Sequence, residues 1–419
     1  MSNYAALFTR IDGYTQEIID LQRELTARAA LGPLNGGTGE HRKMAFIKKV
    51  LKGLNPPFVE EIRAPDDQAR DGYRPNLIAK WEGKQASPVI WVLSHADVVP
   101  PGDLSLWKTD PFTIAVEEDR IIGRGVEDNQ HGFVSAFLAL KAVLDSGHEL
   151  TWPVGLIAVA DEETGNRYGL EYVLKHRREY FRKSDLIVVP DAGDSSGTMI
   201  EVAEKSMLWL KFTVTGHQCH ASTPEKGKNS LICAARLITA LEGLQDQFAD
   251  TDPLFSPSRS TFSPTKVEGN VPNINTIPGR DSFYVDCRVL PGYSLDEVIA
   301  AAQAISLEVS SQTGLEIDVA AVHRQDAADP TPPDAPVVRA LSRAILTVTG
   351  REARPMGIGG GTVAALFRQQ GLPAAVWSTC PDTAHQPNEY CLISDIIRDT
   401  KVFAALYLDE TIADSIPFE

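Results

Sequence analysis

Five short stretches of the sequence end on residues that can do chemistry together. The apolar run PVIWVLS leads into His95-Ala96-Asp97, and Gly123-Arg124-Gly125 leads to Glu127-Asp128-Asn129. VGLIAVA ends at Asp161-Glu162-Glu163, DLIVVP ends at Asp191, and a loop after AAVWS carries His385. Each stretch alone has an ordinary reading. Asp128 before a helix is an N-cap, adjacent glutamates are an exposed helix start, and Asp191 opens a turn. Their weight is collective, because all fall at expected strand ends or the adjoining loops. In an open α/β sheet, ligands bind beyond the carboxyl ends of the strands. Converged there, two imidazoles and four or more carboxylates would repel and raise one another's pKa values unless cations held them. A pair of divalent ions does so. Mixed His, Asp and Glu donors suit zinc, with cobalt or manganese compatible by ligand type.

The elements that must position these residues follow from pattern. Apolar runs at 76–81, 89–94, 154–160 and 186–190 alternate with helical patterns at 132–146 and 170–179. Five to seven apolar residues between helices indicate a largely buried α/β sheet. From residue 207 the texture changes to strand, helix, strand, helix, strand: LWLKFTVTG, 228–244, DSFYVDCRVL, 294–312 and LEIDVAAVH. The strands alternate, so they are covered on one face only. The expected fold is therefore α/β, a catalytic domain with a mostly parallel sheet flanked by helices, plus an inserted α+β two-layer lid. The proline-rich QDAADPTPPD suits a return linker, giving segments 1–206, 207–324 and 325–419. The serine- and proline-rich stretch 252–265 reads as a loop.

A chain of 419 residues exceeds one ordinary core, and 43% hydrophobic with 23% charged residues is the balance of a globular protein. No stretch approaches the about 20 apolar residues of a membrane span. Residues 1–31 read as a charged amphipathic helix rather than a signal peptide. Five scattered cysteines without a C-x-x-C pair fit reduced thiols and a cytoplasmic setting. A net charge of −16 argues against nucleic acid or an anionic membrane as partner.

SHADVVP, GRGVEDNQHG, ADEETG, VVPDAG, CHASTPEKGKNS, NINTIPG, GGGT and AHQPNE occur in this order. Together they resemble the zinc-dependent family of aminoacylases, acetylornithine deacetylase, succinyl-diaminopimelate desuccinylase, glutamate carboxypeptidase and carnosinase-type dipeptidases. The resemblance implies that Asp128 bridges two ions, completed by His95 and Asp191 on one side and by Glu163 and His385 on the other. It makes Glu162 the general base toward a metal-bridging water and Asp97 the carboxylate orienting His95. His220 matches a histidine that steadies an oxyanion in a neighbouring subunit's site, which implies a homodimer through the inserted domain. Asn275, Arg288 and the loop with Gly360, Gly361 and Thr362 match substrate contacts. Many members read Gly-Thr-Ser-Asp at that loop, where this chain reads Gly361-Thr362-Val363-Ala364.

The expected activity is hydrolysis of the amide bond of an N-acyl amino acid. A metallo-dipeptidase or aminopeptidase on the same site is the alternative, and a non-catalytic metal- or carboxylate-binding protein of the same fold is the alternative from another class. GDSSG at 193–197 matches G-x-S-x-G, but the TMIEVAEKS that follows is not the helix a serine nucleophile elbow requires.

Overall fold

A computed structural model describes residues 4–415. The described chain forms two compact units, one holding residues up to 202, 330–355 and 362 onward, the other 203–329 and 356–361.

The first unit is built on an eight-stranded sheet. Ile90–His95 lies parallel to Val154–Val159 on one side and to Leu186–Asp194 on the other, with Ile90 opposite both Val154 and Leu186. Ala374–Thr379 continues the parallel set beside Leu186–Asp194. Tyr73–Trp81 and Phe58–Pro65 extend the other side as antiparallel strands. At the far edge, Met199–Glu204 and Arg354–Ile358 carry the chain over the unit boundary. The central strands are buried along their whole length, which is why they read as unbroken apolar runs.

Helices cover both faces of this sheet. Gly132–Asp145, almost wholly buried, packs between the sheet and Ile393–Tyr407. On the opposite face Leu170, Val173, Phe181 and Phe367 join Trp91, Leu93, Ile157 and Ile187 in one core. Gly155 makes room for Trp91, since a Cβ there would lie 2.0 Å from its ring. The N-terminal helix expected as one element is two, Ala5–Asp12 and Thr15–Thr26, divided at Gly13 and Tyr14.

The second unit is an antiparallel sheet in the order Thr261–Val267, Arg280–Val289, Ser206–Thr215, Glu316–Gln325. Helices Ser230–Ala240 and Leu295–Thr313 pack on its apolar side through Leu237, Val298 and Ala302 against Leu208, Leu210, Phe212 and Val285. Ser294 starts the longer helix with a capping box, its hydroxyl accepting from Asp296 N (3.1 Å) and Glu297 accepting from Ser294 N (3.0 Å). Residues 252–260 are not a free loop: the buried Lys205 ammonium donates to the carbonyls of Pro257 (2.8 Å) and Arg259 (2.6 Å).

Candidate metal centre

The strand ends deliver the acidic and imidazole side chains to one place within the first unit. His95 closes its strand directly beside Val159, two residues before Asp161 begins the Glu162-Glu163 turn. His95 Nε2 lies 2.8 Å from Asp128 Oδ1 and 3.3 Å from Asp191 Oδ1. His385 Nε2 lies 3.0 Å from Asp128 Oδ2 and 3.1 Å from Glu163 Oε2. Asp128 thus offers one oxygen to each imidazole. Possible ligand atoms of His95, Glu162 and Asp191 all fall within 4.8 Å of one another, as do those of His95, Asp128 and Glu163.

Backbone design brings these groups so close. Gly132 opens the helix behind Asp128, and a Cβ there would sit 2.5 Å from the Pro190 carbonyl oxygen. Only glycine lets that helix approach the end of the Asp191 strand. Asn129 ties the two together, donating from Nδ2 to Pro190 O (2.6 Å) and Asp191 Oδ1 (2.7 Å), while its Oδ1 accepts from His95 N (3.3 Å). Asp97 meets His95 Nδ1 with its backbone carbonyl at 3.1 Å, its carboxylate lying 3.6 Å from the same nitrogen. Its carboxylate also accepts the backbone N–H groups of Glu162 (3.1 Å) and Glu163 (3.0 Å). One buried aspartate therefore orients an imidazole and fixes the turn bearing both glutamates. Asp161, left-handed at φ 64°, is held by Tyr168 N (2.9 Å) and by Arg74, itself buried against Glu40.

A family model described as peptidase family M20/M25/M40 matches residues 91–409. The chain belongs to this family. An uncharacterized metallohydrolase from Methanococcus maripaludis is 37% identical, with 94% of this chain and 98% of the relative covered. A succinyl-diaminopimelate desuccinylase from Dinoroseobacter shibae is 30% identical across 80% of this chain and 86% of the relative. Human carnosine dipeptidase 1 shares the fold, with a TM-score of 0.76 at 20% identity, covering 96% of this chain and 98% of that one. As a member of M20/M25/M40 the protein is a metallohydrolase acting on amide or peptide bonds. No helix among the described residues is long and apolar enough to cross a membrane.

The donor set fits the divalent ions that this family implies. Burial opposes ionisation of Asp128, yet the hydrogen bonds from His385 and His95 outweigh it and hold its carboxyl well below the usual range. Burial and then Asp191 push Glu162 well above its ordinary value, and burial and Asp128 raise Glu163. Asp128 and Glu163 raise His385 to about 10. Burial works against a charged His95, but Asp191 and Asp128 prevail and raise it. Without a cation, burial at the glutamates and the crowded carboxylates throughout push the imidazoles and glutamates of this cluster toward their protonated forms. An M20 centre of mixed imidazole and carboxylate donors exchanges those protons for a metal.

That exchange predicts a pH dependence. Binding needs neutral imidazoles and ionised carboxylates, so the metal-free state carries more protons and affinity rises with pH. The rise continues toward the value of about 10 for His385. Each proton released contributes about tenfold in affinity per pH unit. Calorimetric zinc titration at pH 6 and 8 in buffers of different ionisation enthalpy should show that release. A pH-independent affinity would contradict it.

The remaining expected site residues lie in the second unit, except Thr362. His220 pairs with Thr276 in a short bridge, and the neighbouring Ala221 N donates to Asn275 O at 2.9 Å. His220 Nδ1 accepts from Ser222 N (3.1 Å), so a neutral ring carries its proton on the exposed Nε2. Arg288 is engaged within its own unit. Its guanidinium meets both Asp286 oxygens (2.7 and 3.1 Å) and the Gly359 carbonyl (2.9 Å), which fastens the loop leading to Gly360 and Gly361. Thr362 Oγ1 accepts from Ala364 N (3.2 Å) at the start of the next helix. The 194–197 stretch of GDSSG turns between two strands rather than into a helix. Arg74 and the wholly buried Lys43, whose ammonium burial lowers to about 8, carry no visible signal in the sequence, while Asn129 and Glu389 stand in the quoted motifs without an assigned role.

Proposed function

We propose that this M20/M25/M40 member hydrolyses the amide bond of an N-acyl amino acid at a centre of two divalent ions, zinc by donor type. The observation that carries this reading is Asp128, whose two oxygens meet two different imidazoles 2.8 and 3.0 Å away. His95 and Asp191 would hold one ion, Glu163 and His385 the other, with Asp128 between them. Bound there, the ions supply Lewis acidity toward the amide oxygen and lower the pKa of water in the site.

The chain's own groups do the rest. Glu162 stands beside the cluster, and among the described residues no hydrogen bond reaches its carboxylate. It is thereby free to take a proton from the attacking water at a carboxylate oxygen and return it to the departing nitrogen. Asp97 fixes its backbone, so the carboxylate moves only through its side-chain torsions. His220 is proposed to donate from Nε2 to the developing oxyanion of the partner copy in a homodimer. Asn275, Arg288, Gly360, Gly361 and Thr362 are proposed as substrate contacts. A monomeric species in sedimentation with full activity would remove the shared histidine.

Support for a deacylase over a dipeptidase comes from desuccinylases at 25–30% identity over 76–92% of the chain. Carnosine dipeptidase, at 20% identity, supports the fold alone. The test is a panel of N-acetyl, N-succinyl and N-carbamoyl amino acids and dipeptides, offered to chelated and then zinc-, cobalt- or manganese-reloaded protein. Metal-restored cleavage of an N-acyl amino acid is expected. Cleavage of dipeptides alone would transfer the site to the second reading, and silence with bound metal would favour a non-catalytic role.

A further inference from the structure

Two chain segments leave the same small ladder and end on the two sides of the metal centre. Arg120–Ile122 pairs antiparallel with Tyr390–Leu392, Ile122 opposite Tyr390. From one strand the chain runs on to Asp128; into the other it arrives from His385. Gly123 N still donates to Glu389 O (2.9 Å), but beyond it both segments turn irregular, with φ of 86° at Gly125 and of 64° at Asp382 and His385, and strand pairing stops. Buried N–H groups left this way need acceptors.

Each segment supplies the acceptor for the other. Glu389, fully buried, accepts from Gly125 N (3.1 Å), Glu127 N (3.0 Å) and Asp128 N (3.1 Å). Glu127, 8% exposed, accepts from Asp382 N (2.8 Å), Thr383 N (2.8 Å) and the Thr383 hydroxyl. Arg124 braces the pair, at 2.5 Å from Glu389 and 3.3 Å from the His385 carbonyl. We infer that Glu127 and Glu389 form a reciprocal carboxylate clamp that sets the spacing between Asp128 and His385, making Glu127 a positioning residue for the ion held by His385. The inference rests on reading Asp128 and His385 as ligands. The clamp acts through backbone: among the described residues no hydrogen bond or ion pair joins either glutamate to the His385 ring, and the Glu127 carboxylate accepts from the other segment's amides.

Glu127 is the better place to test it. Arg124 depends on Glu389 for its charge partner, so a Glu389 variant risks the fold, whereas Glu127 faces only uncharged donors. In Glu127→Gln one acceptor oxygen becomes an amide that cannot receive an N–H. Zinc affinity for the ion at His385 should fall about 10–100-fold, the range for losing a group that orients a ligand. Thermal unfolding and circular dichroism should confirm the fold. Amide exchange at Asp382 and Thr383 in the metal-free chain should accelerate at least about tenfold. A folded Glu127→Gln chain with wild-type zinc affinity, or with unchanged exchange at those two amides, overturns the clamp. A wild-type chain that binds no zinc would instead overturn the reading of the centre, and amide exchange would still decide the clamp.

Discussion

Glu162→Gln is expected to keep its full metal complement and to lose about 10²–10⁴-fold in turnover, the range for removing a general acid–base group. The two adjacent glutamates share a backbone anchor in Asp97, which accepts both of their N–H groups, but their side chains have different surroundings. Glu163 Oε2 is 3.1 Å from His385, whereas among the described residues no hydrogen bond reaches the Glu162 carboxylate. Glutamine is nearly isosteric and leaves the Asp97 anchor intact, so the turn should persist while the proton acceptor is lost. A sharper alternative exists, because a Glu162 oxygen also lies within 4.8 Å of ligand atoms on His95 and Asp191. If Glu162 were a ligand, the substitution would lower zinc content along with turnover. Metal analysis and single-turnover kinetics on the same preparation separate the two. Intact metal with lost chemistry makes it the base; lost metal makes it a ligand; retained activity removes it from the reaction.

What could be read in the sequence divides along physical lines. Strands buried on both faces have no polar face to interrupt them, so 90–95, 154–159 and 186–190 stand out and their terminal acids stand out with them. The edge strand Thr261–Val267 went unread because it is mostly exposed, contains Pro264 and carries a register shift between Pro264 and Lys266. Neither alternation nor an apolar run survives those three features. The supports of the centre were illegible for a different reason. Glu389 and the Asp128 amide it accepts are 261 positions apart, and Glu127 and Asp382 are 255 apart. A buried glutamate that satisfies backbone donors has the same letter as one on a solvated turn, and only the folded chain reveals which amides lack partners. Arg288 illustrates the complementary case. Family likeness pointed it at substrate, and the fold adds Asp286 and the Gly359 carbonyl as standing partners, so any carboxylate arriving there must share the guanidinium.

Asp128→Ala is expected to abolish tight binding of both ions and with it all activity above background. The reason is stoichiometric. Asp128 is the one carboxylate in the cluster with an oxygen at each imidazole, Oδ1 toward His95 and Oδ2 toward His385. Removing it leaves His95 with Asp191 and His385 with Glu163, a pair of two-donor fragments where zinc sites generally use three or four ligands. Zinc per chain, expected near two equivalents in the wild type by this reading, should fall below one. Asp128→Asn refines the test, because an amide keeps a single acceptor oxygen. It should weaken one ion more than the other, with partial metal content and little turnover. The amides that position this residue, including its own N–H to Glu389, are untouched by either change, so the backbone of the turn should persist. An Asp128→Ala chain that still holds its full zinc would deny the bridging role and assign the ions to two independent sites.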